Sequence, residues 1–257
     1  MCYELDAEPP VPPIAGGAVD SEDLTLTAGD GTQFAAFIAR SEGSDGTGPA
    51  MVVLPDVRGL FHFYEELALR FAEQGIDSIA FDYFGRTAGV GKRDAEFPFR
   101  DHVAQTTFES VKADAAAAVE ALRDAGSSDR KIFTVGFCFG GSNSWHQAAN
   151  GLGIAGAVGF YGHPAREFPT GATPLMERIG EIEAPILGLM GGADEGITPD
   201  IARAFDDALK AGGVEHEIVI YDGAPHSFFD RTADEHVEAC DDAWRRILEF
   251  VSSHSKT

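Results

Sequence analysis

Cysteine, basic residues and long apolar runs are all scarce in this chain, and each shortage excludes something. Three cysteines, Cys2, Cys138 and Cys240, stand at scattered spacing among 257 residues. An odd number so spaced makes neither a disulfide framework nor a zinc-ligand pattern. No metal and no organic cofactor are expected. Lysine and arginine together number 19 against 42 acids, a formal net charge of −23. Such a surface repels nucleic-acid phosphates and anionic lipid, so neither partner is expected. No apolar run approaches the length of a transmembrane helix. The N-terminal residues Met1-Cys2-Tyr3-Glu4-Leu5-Asp6 lack the basic and apolar segments of a signal peptide. The expectation is a soluble, cytoplasmic protein, monomeric or a small homo-oligomer, acting on a small molecule.

The most informative stretch that is present is Gly136-Phe137-Cys138-Phe139-Gly140. It follows the β-branched run Ile132 to Val135 and precedes a helical pattern. G-x-C-x-G in that setting is a nucleophile elbow carrying sulfur. The chemistry requires this spacing. A side chain presented on a sharp strand-to-helix turn needs small neighbours so that the chain can fold back. The turn leaves the backbone N–H of the next residue, Phe139, available for an oxyanion. The helix N-terminus favours the thiolate. Cys2 and Cys240 have no such setting.

Around the elbow the chain alternates. Two strand patterns, Asp23–Thr27 and Gln33–Ala39, flank a Gly-Asp-Gly hairpin signal. Further strands read at Met51–Leu54, Ser78–Phe81, Ile132–Val135, Ala155–Phe160, Ile186–Met190 and Glu217–Tyr221. Helices read at Phe63–Gln74, Val103–Asp124, Gly141–Ala149, Ile201–Ala211 and Asp234–Ser252. The strands are near-continuous apolar runs, as when helices cover both faces. The expected fold is α/β, a mostly parallel, doubly wound sheet with its site outside the carboxyl ends of the strands. No composition break divides residues 1–257, so one domain is expected. Residues 1–20, rich in Pro, Gly and Ala toward their end, read as an irregular arm.

Four chemical groups follow strands on that shared edge. They are Asp56 after Met51–Leu54, Cys138 after Ile132–Val135, Asp194 after Ile186–Met190 and His226 after Glu217–Tyr221. The order nucleophile, acid, histidine is that of α/β-hydrolases. A thiolate attacks an acyl carbon, an imidazole carries the proton, and a carboxylate fixes the imidazole tautomer. Plainer readings stand beside each. Asp194 could cap the helix near Thr198, with Asp200 and Asp222 as rival third members. Asp56 could be a turn residue. His62, His146 and His163 read as structural or rim residues.

The chain resembles the dienelactone hydrolase family. The resemblance rests on Val135-Gly136-Phe137-Cys138-Phe139-Gly140-Gly141, Gly159-Phe160-Tyr161-Gly162, Gly191-Gly192-Ala193-Asp194, Ala224-Pro225-His226-Ser227-Phe228 and Phe81-Asp82-Tyr83-Phe84-Gly85-Arg86. It implies an α/β-hydrolase fold with the triad Cys138, Asp194 and His226. It implies an oxyanion hole from the N–H groups of Val57 and Phe139, and a thiol-tuning acid at Asp56, one methylene shorter than the family's glutamate. Arg86 matches the first of two arginines that grip a substrate carboxylate. The register of the second falls on Asp230, with a base one residue later at Arg231. Arg86, Arg231 and Tyr161 are thus the substrate-binding candidates, and Arg58 is a further base nearby. The implied substrate is a small lactone or ester, foremost an anionic enol-lactone. The alternatives are an esterase or thioesterase for neutral esters and a catalytically silent ligand-binding protein.

Overall fold

A computed structural model describes residues 7–14 and 19–256. Cys2 and half of the expected N-terminal arm lie outside the described residues. Eight strands form one sheet: β1 (Val19–Thr27), β2 (Gln33–Ser41), β3 (Ala50–Leu54), β4 (Asp77–Phe81), β5 (Ile132–Phe137), β6 (Gly156–Phe160), β7 (Ile186–Gly191) and β8 (His216–Tyr221). Their order is β1-β2-β4-β3-β5-β6-β7-β8. Only β2 runs antiparallel to its neighbours; β4 through β8 pair in parallel. The α/β-hydrolase architecture is therefore the one expected. The first strand starts at Val19, inside the stretch read as irregular, because its polar alternation fits a ladder with β2 on the sheet edge.

The continuous apolar runs are explained by two cores. Successive strand residues point to opposite faces. Met51 and Val53 of β3 join one buried cluster, together with Phe63 and Leu67 of α1 (His62–Glu73) and Ile247 of α7 (Val237–His254). Val52 and Leu54 join the other. That second cluster holds Val111 and Leu122 of α4 (Phe108–Asp124), Trp145 of α5 (Phe139–Gln147) and Phe205 of α6 (Pro199–Ala211). With both faces buried, neither can be polar.

Two short helices complete the chain order, α2 (Gly85–Ala88) and α3 (Phe99–Val103). The helix expected over Val103–Asp124 starts at Phe108 as α4, and Val103 instead ends the separate helix α3. The break has a local cause. Thr107 adopts an extended conformation and accepts a hydrogen bond from the Ser110 N–H, while Ser110 Oγ accepts from the Thr107 N–H. This reciprocal cap satisfies two N–H groups that an uninterrupted helix would have bonded internally.

Candidate active site

Cys138 lies between β5 and α5 with φ 57° and ψ −112°, a backbone region that side chains rarely occupy. Its neighbours show why the turn requires glycine. A Cβ on Gly136 would stand 1.9 Å from the Gly140 carbonyl oxygen. One on Gly140 would stand 2.1 Å from the Leu54 oxygen and 2.3 Å from the Pro55 oxygen. The elbow is thus wedged against the end of β3, and the Cys138 N–H is tied to the Phe160 carbonyl of β6 at 3.0 Å.

Asp194 and His226 arrive on two loops that are bonded to each other. The Gly192 N–H donates to the Tyr221 oxygen at 2.8 Å, and the Ala193 N–H to the Ala224 oxygen at 2.9 Å. Gly191 permits this approach, since a Cβ there would meet the Ala224 oxygen at 2.6 Å. Asp194 Oδ2 then lies 2.6 Å from His226 Nδ1. Its Oδ1 accepts from the N–H groups of Gly196 at 2.8 Å and Ile197 at 3.0 Å. The carboxylate therefore shapes its own loop and orients the imidazole. The rival acids do neither: Asp200 pairs with Arg203 on the surface, and Asp222 is exposed.

His226 is charged by its company. Burial of the ring opposes the charge, but hydrogen bonds to Asp194 and Cys138, with their negative charges, raise its pKa to about 10. Burial raises the Asp194 carboxyl, but the bond and charge of His226 outweigh it and leave the pKa below the ordinary carboxylate value. The three side chains thus form one hydrogen-bonded line from sulfur to carboxylate.

They open on a cavity of about 510 Å³. Val57, Phe139, Phe168 and Ile197 provide apolar wall, and His163, Arg166 and Arg231 provide polar and basic edge. Among the described residues no acceptor engages the backbone N–H of Val57 or Phe139.

Asp56 is fully buried, and its Oδ1 accepts from the Arg58 N–H at 2.8 Å, so the turn role is real. Arg58 is buried, with its guanidinium 4.9 Å from the Phe61 ring centre, rather than an exposed loop charge. Tyr161 is a buried wall residue. Its ring leans on His226, centroids 4.8 Å apart, and its hydroxyl donates to Asp230 Oδ2 at 2.7 Å. Burial holds the Asp230 carboxyl well above the usual range, against hydrogen bonds from Tyr161 and the Arg231 N–H, and the Asp56 charge adds to the effect.

Arg86 is the correction. It does not line the cavity. Its Nη1 donates to both oxygens of Asp114 at 2.8 Å, and its Nε to Asp30 at 2.9 Å. Asp114 is only 1% exposed and needs a cation, so the arginine is held by the fold. Sequence reasoning missed Ser142, Arg166, Phe168 and Ile197 as cavity residues. The one available signal was position: Arg166 and Phe168 follow the carboxyl end of β6.

A doubly wound sheet with an elbow and a histidine–acid loop pair beyond its strand ends defines an α/β-hydrolase. Within that class the relationship is specific. The sequence profile of the dienelactone hydrolase family matches residues 34–255. An Escherichia coli (strain K12) protein named "Putative carboxymethylenebutenolidase" is 30% identical, over 96% of this chain and 94% of that protein. A Bradyrhizobium protein named "Probable 2-oxo-3-(5-oxofuran-2-ylidene)propanoate lactonase" is 27% identical, over 80% of this chain and 84% of that one. A crystal structure titled "Putative Dienelactone Hydrolase" from Klebsiella pneumoniae superposes with a TM-score of 0.81 at 27% identity, covering 91% of this chain and 99% of that one. The chain belongs to the dienelactone hydrolase family, and it is a carboxylic ester hydrolase. No helix among the described residues is long and apolar enough to cross a membrane.

Proposed function

We propose that the protein hydrolyses a small lactone or ester through Cys138, His226 and Asp194, with an enol-lactone of the dienelactone type as its substrate class. The observation that carries this reading is the continuous line from the strained elbow thiol through His226 to buried Asp194. The thiolate adds to the acyl carbon, and the carbonyl electrons move to oxygen. The N–H groups of Phe139 and Val57 receive that oxyanion. Collapse breaks the acyl–oxygen bond, and the leaving enolate oxygen takes its proton from His226, which leaves the imidazole neutral. His226 then removes a proton from water as the water adds to the thioester, and the thiolate leaves. Asp194 keeps Nδ1 protonated throughout. Asp56, buried behind the elbow, tunes the thiol.

The names carried by the relatives support a lactone, and the Bradyrhizobium protein's name describes one bearing a carboxylate. Tyr161 and Arg231 contribute to the substrate cavity. A second reading, neutral esters, is favoured by the apolar wall of Val57, Phe139, Phe168 and Ile197.

The test is Cys138→Ala with a p-nitrophenyl ester and with a butenolide lactone. Hydrolysis of both is expected to disappear while the folded state persists. Iodoacetamide should label Cys138 in the wild type and spare Cys240, which is 1% exposed and whose thiol burial pushes up to about 12. Unchanged turnover in the variant would end this reading.

A further inference from the structure

The peptide unit between Pro55 and Asp56, just beyond β3, is gripped at both ends by tyrosines. Its carbonyl accepts from the Tyr83 hydroxyl at 2.7 Å, and its N–H donates to the Tyr64 hydroxyl oxygen at 2.9 Å. The two arrive from different parts of the fold, Tyr64 on α1 and Tyr83 just after β4. Both are buried. A peptide unit is planar, so holding its oxygen on one edge and its hydrogen on the other fixes the whole plane. Packing alone does not call for these hydroxyls. The chain has nineteen phenylalanines and five tyrosines, yet two of the five aim at one peptide. Burial, with the charges of Asp56 and Asp82 next, pushes the Tyr83 phenol well above its ordinary pKa, so it stays a donor.

The clamped peptide adjoins an oxyanion donor. The Val57 N–H belongs to the next peptide unit, whose carbonyl, that of Asp56, accepts from the Gly59 N–H at 3.2 Å. A trans peptide carries its N–H on the side opposite its carbonyl. Val57 itself lines the cavity. The tyrosine rings reach the other half of the site. Tyr83 meets Phe139 edge to face with centroids 5.1 Å apart, and Tyr64 lies 5.7 Å from Phe137. The same two side chains thus hold the loop after β3 with their hydroxyls and flank the residues on either side of Cys138 with their rings.

We propose that Tyr64 and Tyr83 are positioning residues for the oxyanion hole: by locking the Pro55–Asp56 peptide they set the Val57 N–H at its working distance from the Phe139 N–H. The inference rests on the hydrolase reading above and supplies what holds its two donors in place. Donors fixed in advance cost no reorganisation when charge develops on the carbonyl oxygen. Loss of a donor outright costs on the order of 10²–10³-fold in kcat, and a donor loosened rather than lost should cost about tenfold.

The experiment uses Tyr64→Phe, Tyr83→Phe and the double variant, which keep the rings and remove the hydroxyls. Three quantities are read: kcat and KM for p-nitrophenyl butyrate, the inhibition constant of a trifluoromethyl alkyl ketone, and the rate of Cys138 alkylation by iodoacetamide. The ketone reports the hole, because the thiolate adds to its carbonyl carbon and the carbonyl electrons move to oxygen. Alkylation displaces iodide at a methylene carbon and forms no such oxyanion. Each single variant should lower kcat about tenfold with KM little changed, and should weaken the ketone by a similar factor. Alkylation should stay as in the wild type. The double variant should lose less than the product of the two single losses, since both hydroxyls hold one peptide. Ser78→Ala removes another buried hydroxyl, one that donates to the Ala68 carbonyl at 2.8 Å, and should lower the melting temperature without moving kcat. An unchanged kcat in both single variants would overturn the clamp. So would a fall in kcat with the ketone unweakened, a parallel fall in alkylation, or an equal fall in Ser78→Ala. Hydrolysis of the ester by Cys138→Ala would instead overturn the hydrolase reading, and this inference with it.

Discussion

Tyr161 is held between base and buried acid: its hydroxyl sits 2.7 Å from Asp230 Oδ2 while its ring leans on the His226 imidazole. Tyr161 itself has a positive φ of 35°, a conformation that surrounding contacts must enforce. Asp230 occupies the place where the family resemblance leads one to expect an arginine. The residue that would grip substrate is here an acid facing inward.

Asp230→Asn tests the charge state. The folded pKa of Asp230 is raised well above the ordinary value. The sign follows: its contribution to stability is fully present below the unfolded pKa and is lost as pH rises toward the folded one. Each unit of separation corresponds to about 1.4 kcal/mol. A carboxamide cannot ionise and can keep both contacts, with the tyrosine hydroxyl as acceptor. The variant should therefore gain thermal stability relative to wild type as pH rises from 4 to 8. Parallel melting curves across that range would show that Asp230 is ionised in the folded protein.

The pH dependence of Cys138 alkylation tests the ion pair. With the His226 pKa at about 10, the imidazolium and its effect on the thiol should persist across neutral pH. The stability it confers is complete below about pH 6.5 and is lost as pH rises through about 10. Wild-type alkylation by iodoacetamide should be nearly flat between pH 6 and 8. In His226→Ala the rate should instead follow an ordinary thiol with a pKa near about 8.5. Asp194→Asn should lower kcat on the order of 10³-fold by releasing the tautomer. A wild-type profile that already rises as an ordinary thiol would refute the pairing.

The elbow glycines and the elbow cysteine should respond in opposite directions. Gly136→Ala forces a methyl into the Gly140 carbonyl, so a loss of roughly 2–4 kcal/mol and of activity is expected. Cys138→Gly removes a side chain from a strained φ of 57° and should melt at or above Cys138→Ala, by up to about 1 kcal/mol. Thermal unfolding of the three variants checks both statements. A Gly136→Ala protein as stable as wild type would mean that the turn is looser than its geometry.

Arg86→Ala should behave as a stability variant. It strands the buried Asp114 carboxyl, which burial already raises to about 7 in spite of Arg86, and should cost about 3 kcal/mol. The double variant Arg86→Ala with Asp114→Asn should recover part of that loss, because the unpaired charge is gone. The preference between charged and neutral esters should not move. A selective loss on the charged ester, with an unchanged melting temperature, would restore Arg86 to the substrate.

The elbow was legible because its constraints are local and extreme. Gly136 and Gly140 are required by carbonyl contacts within a few residues or on the next strand, so the motif survives as text. Asp194 and His226 were legible through Gly191-Gly192 and Gly223-Ala224-Pro225, the small residues that let two loops touch. Strands β3 to β7 were visible because burial on both faces leaves no polar alternation to confuse, whereas β1, on the polar sheet edge, begins four residues before the strand read at Asp23. Arg86 was misread because its role depends on Asp114, 28 residues away on α4, and on Asp30 before β2. No local pattern encodes such a pairing. Arg166 was silent because an arginine on a loop looks like any other until the sheet brings it to the cavity. The break at Thr107 was hidden because the apolar spacing runs on across it, and only the Thr107–Ser110 exchange of hydrogen bonds stops the helix.

The two bonds between the loops after β7 and β8 make the proton-handling pair a single mechanical part. His226 and Asp194 are fastened to each other, whereas Cys138 rides on β5, with β6 standing between them in the sheet. Heat or denaturant that shears the sheet edge would therefore carry base and acid away together. The first failure on warming would be a lengthening of the gap from sulfur to imidazole, with the gap from imidazole to carboxylate still closed. Inactivation would then precede melting, and would reverse on cooling for as long as the two loops stay joined.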